Sequence, residues 1–225
     1  MTDAAAPART VRVTDAAAPT PRWAVVVPVK PADRGKSRLE VPGIDRAALA
    51  RAIALDTIAA VAACEAVERV VVVGDDGGLA LEASGTPGLR FVPEPSPGGL
   101  NAAIAAGIET VNERMPRAAL LGDLPALRPD DLATALGAAR GIARGVVADS
   151  DGTGTTLLTA ASGVAWESAF GEDSFARHRA MGAVPLNVTD ASTLRHDVDT
   201  AEHFAAALDL GLGPRTAALV RASEV

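Results

Sequence analysis

From Trp23 onward the chain alternates short, unbroken apolar runs with longer stretches that carry a helical period. WAVVVPV (23–29), RVVVVGDD (69–76), GLRFVPE (88–94), AALLGD (118–123), GVVADSDG (145–152), GTTLLTAA (154–161) and AVPLNV (183–188) are rich in valine and leucine and bounded by turn residues, which predicts strands. Between them, DRAALARAIALDTIAAVAAC (45–64), GGLNAAIAAGIETVNERM (98–115), PDDLATALGAAR (129–140) and DSFARHRAMG (173–182) read as helices. LRHDVDTAEHFAAALDLG (194–211) passes from an extended segment into a helix, with Thr200 as N-cap and Glu202 in the first turn. Strands apolar on both faces, interleaved with helices, predict an α/β fold whose mostly parallel sheet is covered on both sides. The order breaks after residue 150, so the sheet is expected to be mixed there or to carry a β-rich insertion. Residues 1–22 hold TDAAAP twice and few large apolar groups; they read as a disordered low-complexity tail ahead of one domain, 23–225.

Composition narrows the function. The 225 residues include no tyrosine, four phenylalanines and two tryptophans, so the core must be aliphatic. A net charge of −7 argues against a general nucleic-acid or membrane-surface binder. The single cysteine, Cys64, makes neither an internal disulfide nor a zinc cluster and reads as a small buried hydrophobe in a reducing cytoplasm. No apolar run approaches the roughly 18 residues of a membrane span, and the N-terminus has no signal-peptide core.

Against this acidic background PVKPADRGKSRL (28–39) holds both lysines of the chain, Lys30 and Lys36, with Arg34 and Arg38. Lysine is a compact point charge and arginine a planar fork of donors, so this strand-end loop suits a polyphosphate; the alternative is a flexible basic surface loop. Its spacing is not that of a Walker A motif. In open parallel sheets ligands bind beyond the carboxyl ends of the strands. That rule gathers the basic loop with Gly98–Asn101, Gly122–Asp123 and the Asp197–Asp199 segment. Asp123 follows an apolar strand through Gly122. Asp197 and Asp199, two apart, share a face if extended, and are either hard oxygen ligands for magnesium or turn and capping residues. Asp75, Asp76, Asp149 and Asp151 are explained by turns. Asn101, at a glycine-rich helix entry, has the donor and acceptor that base or ribose recognition needs. GTGTT (152–156) and FGEDSF (170–175) set hydroxyls beside glycine, a cradle for a small phosphate, with helix capping as the other reading of Ser174. His178 and His203 read as surface or packing residues, and His196 has no nucleophile to partner it.

Taken in order, VPVKPADRGKSRL, GGLNAA, GDLPAL, GTGTTLL, FGEDSFARHRAMG and HDVDTAEH resemble the guanylyltransferases of coenzyme F-420 (deazaflavin) biosynthesis, from about Trp23 to Phe204. The resemblance implies a Rossmann-like nucleotidyltransferase fold and the condensation of GTP with phosphoenolpyruvate, or with 2-phospho-L-lactate or 3-phosphoglycerate. The expected products are enolpyruvoyl-2-diphospho-5'-guanosine, destined for a downstream deazaflavin transferase, and pyrophosphate. It implies Mg2+ on Asp123, Asp197 and Asp199, and the acceptor on Thr155, Gly171 and Ser174, with Thr156 one register away from Thr155. Lys30, Lys36 and Arg38 would face the triphosphate. The Gly-x-Gly-x-Arg opening of other nucleotidyltransferases is absent here, and the basic loop takes its place. A phosphorylated acceptor is already anionic, so attack on the α-phosphorus needs relief from repulsion and in-line placement more than a general base. Other readings are a nucleotidyltransferase for another phosphorylated acceptor and a non-catalytic nucleotide-binding module.

Overall fold

In the computed structural model, residues 21–29 and 39–223 are described. The strands are β1 (Trp23–Pro28), β2 (Val67–Val73), β3 (Leu89–Val92), β4 (Arg117–Leu120), β5 (Arg144–Ala148), β6 (Thr155–Ala160) and β7 (Val184–Pro185). The helices are α1 (Arg46–Ala63), α2 (Gly77–Ala83), α3 (Leu100–Glu109), α4 (Pro129–Ala138), α5 (Ser174–Ala180), α6 (Ala201–Leu210) and α7 (Pro214–Ser223). Within the described residues the strands form one sheet in the order β3-β2-β1-β4-β6-β5-β7. The β1–β2, β1–β4, β2–β3 and β5–β7 pairs are parallel, while β6 runs antiparallel to both of its neighbours, β4 and β5. The fold is therefore α/β with a mostly parallel, mixed sheet.

Strand alternation divides the core in two. Val25, Val27, Val70, Val72 and Leu120 face Leu55 and Ile58 of α1, Leu79 of α2 and Leu132 and Leu136 of α4. Ala24, Val26, Val71, Val73 and Ala119 face Ala103, Ile104 and Ile108 of α3, together with Phe170 and Ala183. A third cluster joins Leu39, Leu49 and Ile53 to Val198, Phe204 and Ala207, packing α6 on α1. Each cluster is mainly aliphatic, as the scarcity of aromatics requires.

The differences from the expected elements are local. Asp75 and Asp76, placed at the end of a strand by the sequence, lie beyond β2, with Asp76 as the N-cap of α2. Asp76 accepts from the N–H groups of Gly78 and Leu79, and Asp75 from that of Glu94. The helix expected over 98–115 is shorter, and the strand expected over 183–188 is two residues long. α2 and α7 were not predicted. Arg22, at the end of the expected tail, donates through Nε to the carbonyl of Glu65 at 2.8 Å. The rest of that tail, 1–20, lies outside the described residues, as do Lys30, Arg34, Lys36 and Arg38. Among the described residues no helix is long and apolar enough to cross a membrane.

Candidate active site

The reversed direction of β6 assembles the candidate site. In a parallel sheet the start of a strand lies at the edge opposite the ligand edge. Because β6 runs backwards, its first residue, Thr155, sits beside the carboxyl ends of β4 and β5. A cavity of about 780 Å³ opens there, lined by Pro28 and Val29 at the end of β1, Gly122 and Asp123 after β4, Asp149, Asp151 and Thr153 to Thr155, Phe170 to Ser174, and Asp197 and Asp199.

Asp123, Asp197 and Asp199 share this cavity although 74 residues separate the first two. The N–H of Val198 donates to the carbonyl of Asp123 at 3.0 Å, tying the two loops together. Val198 is fully buried against Leu49, Ile53 and Phe204, so the carboxylates on either side of it turn toward the cavity. Thr200 caps α6 by accepting from the N–H of His203, which leaves Asp197 and Asp199 free of the capping role. His203 bridges the acids instead, its Nδ1 facing the N–H of Asp199 at 3.5 Å and its Nε2 facing Asp151 at 3.5 Å. Burial first, then Asp123, Asp199 and Asp149, push the Asp197 carboxyl up to about 8.

Carboxylates dominate the lining: Asp123, Asp149, Asp151, Glu172, Asp173, Asp197 and Asp199, with no lysine, arginine or histidine of the described residues among them. An all-oxygen donor set of this kind suits a hard divalent cation. Among the described residues no three His, Cys, Asp or Glu side chains are already drawn together as a metal-holding group. Asp149 is partly committed, since its two oxygens accept from the N–H groups of Thr153 and Gly154 at 3.0 and 2.7 Å. It shapes the β5–β6 turn, the role its sequence context suggested.

Thr155, Gly171 and Ser174 line the same cavity. The β5–β6 register shifts so that Val147 pairs with Leu157 and Ala148 with Thr155, leaving Thr156 as the extra residue. This bulge re-aims the strand end. Both threonines are buried, but Thr156 lies outside the lining, whereas Thr155 lies in it and its hydroxyl meets Nδ1 of His178 at 2.9 Å. Gly171 has φ +121°, a conformation that L side chains rarely adopt. Asp173, at φ 51°, holds the N-cap position of α5, so Ser174 is the first helical residue and not the cap. Gly122 serves the protein as well as any ligand, because a Cβ there would lie 2.8 Å from the carbonyl oxygen of Pro28.

Asn101 takes a different place from the one expected. Its Nδ2 donates to the carbonyl of Phe170 at 3.0 Å and its Oδ1 accepts from the Phe170 N–H at 2.9 Å. Asn101 is not in the cavity lining; its neighbour Leu100 is. The Gly99 N–H is likewise spent on the Glu94 carboxylate at 3.1 Å. The structure thus gives Asn101 the task of fixing the backbone that leads into Gly171. His178, read as surface or packing, is buried within this assembly.

The family model described as "Guanylyl transferase CofC like" matches residues 23–222. The chain belongs to this family. A phosphoenolpyruvate guanylyltransferase of Streptomyces scabiei is 50% identical over 206 residues, covering 88% of this chain and 95% of that protein. Among solved structures, a putative nucleotide-diphospho-sugar transferase from Desulfovibrio desulfuricans G20 superposes with a TM-score of 0.60 at 19% identity, covering 91% of this chain and 96% of that one. The manganese complex of Rv0371C from Mycobacterium tuberculosis H37Rv superposes with a TM-score of 0.51 at 18% identity, covering 84% and 98%. Both structures share the fold with this member of the CofC-like family. Its match begins at β1 and ends within α7, so all the lining residues lie inside the family region.

Proposed function

We propose that the chain is a guanylyltransferase that joins GTP to phosphoenolpyruvate in coenzyme F-420 biosynthesis, in the cytoplasm, and hands its product to a downstream deazaflavin transferase. The observation that carries the reading is the cavity itself. Asp123, Asp197 and Asp199 meet Thr155, Gly171 and Ser174 across one strand edge, in a family whose relatives transfer guanylyl groups.

An acidic cavity binds two phosphorylated substrates only if cations enter with them. The chain's own basic segment is our candidate source, since Val29, the described residue that precedes it in sequence, lines the cavity. Lys30, Lys36 and Arg38 are assigned to the GTP triphosphate on this ground. Asp123, Asp197 and Asp199 would hold a divalent cation, Mg2+ in our reading, which when bound neutralises charge on the triphosphate; the manganese bound by the Rv0371C relative is in keeping with this.

The residues then perform a displacement without a general base. Thr155, the Gly171 backbone and Ser174 hold the acceptor so that a phosphate oxygen, already anionic, lies in line with the α-phosphorus of GTP. That oxygen forms the new P–O bond, the bond from the α-phosphorus to the bridging oxygen of the β-phosphate breaks, and pyrophosphate leaves with the electron pair. No proton has to move. The apolar walls of buried Phe170 and partly buried Leu100 limit water, the competing nucleophile, on one side of the cavity.

The test is pyrophosphate release with GTP, comparing phosphoenolpyruvate, 2-phospho-L-lactate and 3-phosphoglycerate, with the dinucleotide-like product read by mass spectrometry. Preference for phosphoenolpyruvate is expected. Preference for either other acid would reassign the acceptor, and no turnover with any of them would reject the reaction.

A further inference from the structure

Among the described residues the Thr155 hydroxyl has one hydrogen-bond partner, Nδ1 of His178. Which of the two donates is decided on the far side of the ring. There the N–H of Ala169 donates to Nε2 at 2.9 Å, so Nε2 must present its lone pair. A neutral imidazole then carries its proton on Nδ1, whereas an imidazolium would set two N–H groups against each other. Burial, and secondarily Arg177, push His178 down to about 4, which keeps it neutral near pH 7. Nδ1–H therefore donates to Oγ1 of Thr155. The hydroxyl keeps its own proton to offer elsewhere, and the open space at Thr155 is the acidic cavity.

The ring has little freedom to choose otherwise. His178 is 1% exposed, and Phe170 packs edge-on against it with centroids 4.8 Å apart. The Phe170 backbone is in turn held at both its N–H and its carbonyl by Asn101. α3, the 169–171 backbone, α5 and the start of β6 are thus joined through two side chains.

We propose that His178 is a positioning residue for the acceptor: its Nδ1–H turns the Thr155 hydroxyl into a hydrogen-bond donor aimed at an anionic oxygen, phosphate or carboxylate, of the phosphorylated acid. The identity of that acid rests on the functional reading above. A hydroxyl locked as donor bonds an anionic oxygen more strongly than a neutral acceptor and gives no help to a cation, so this relay favours an anionic ligand in a cavity whose ionisable lining residues are all acids.

Two substitutions separate the functions of the ring. His178→Asn places an amide N–H near the position of Nδ1 and keeps a donor to Thr155. His178→Gln places its amide near Nε2, keeping an acceptor for Ala169 and losing the donor to Thr155. With phosphoenolpyruvate and GTP, His178→Gln is expected to raise the KM for phosphoenolpyruvate about tenfold, with the KM for GTP unchanged. His178→Asn should return most of that loss. In a Thr155→Val background His178→Gln should add nothing further, because the effect passes through the hydroxyl. Equal increases in both KM values, or an undiminished effect in the Thr155→Val background, would overturn the proposal. Nitrogen-15 NMR of the histidines gives a readout without turnover. His178 should show the Nδ1–H tautomer at pH 7, and an Nε2–H tautomer or an imidazolium would overturn the proposal. Absence of turnover by the unsubstituted chain would defeat the functional reading alone, and the tautomer would still decide the relay.

Discussion

At the scale of single residues, the site is a problem of like charges. Burial first, then repulsion from Asp123, Asp199 and Asp149, holds Asp197 protonated into the neutral range, a cost that makes sense where a cation binds. Asp123→Asn is expected to lower kcat at least about a hundredfold, measured as pyrophosphate release, while thermal unfolding changes little. Intact turnover in that variant would remove Asp123 from the catalytic apparatus. His178 makes a separate prediction about pH. Its ordinary value is 6.5 and its folded value is about 4, so between these values the unfolded chain holds the extra proton. The contribution of this group to stability is therefore fully present above about pH 6.5 and is lost as pH falls toward 4. The difference in melting temperature between the native chain and His178→Asn should change across that window and be constant above it. In the sequence, Asp123, Asp197 and Asp199 were legible as candidates for one cavity because they follow apolar strands or precede a helix that already has its cap. His178 was not, because the backbone N–H that fixes its tautomer belongs to a segment without regular structure.

At the scale of elements, α1 and α6, capped by their own neighbours, could be read, whereas α7, capped from afar, could not. Asp45 accepts from the N–H of Ala48, and Thr200 from that of His203, so α1 and α6 begin where expected. α7 has a different start. Asp56, buried in the middle of α1, accepts from the N–H groups of Arg215 and Thr216 at 3.1 and 2.8 Å. Local sequence carries no trace of a cap 159 residues away. Asp56→Ala should destabilise the fold by about 2 kcal/mol in chemical denaturation, through the loss of both hydrogen bonds, and leave the KM for GTP unchanged. The bulge at Thr156 belongs to the same scale. The choice between Thr155 and Thr156 could not be made from GTGTT, since one extra residue in a strand exchanges which side chain faces which layer.

At the scale of the whole molecule, a protein of net charge −7 presents an acidic cavity to anionic substrates, so its activity should depend on added cations. Removal of divalent ions with EDTA is expected to abolish pyrophosphate release, and Mg2+ in excess of the chelator to restore it; undiminished turnover in EDTA would exclude the assigned role of the three aspartates. The sequence by itself determined the layered α/β architecture, because strands buried on both faces must be apolar throughout and their connecting helices periodic. It also determined which residues have the chemistry for phosphates and metal ions, since charge and hydroxyl content belong to the residue alone. Only the tertiary structure decided that β6 runs backwards and carries Thr155 to the edge where Asp123 and Asp197 lie. It alone decided that Asn101 holds the Phe170 backbone and that His178 meets the Thr155 hydroxyl. Strand direction, register and hydrogen-bond partners depend on contacts between distant segments, and such contacts exist only once the chain has folded.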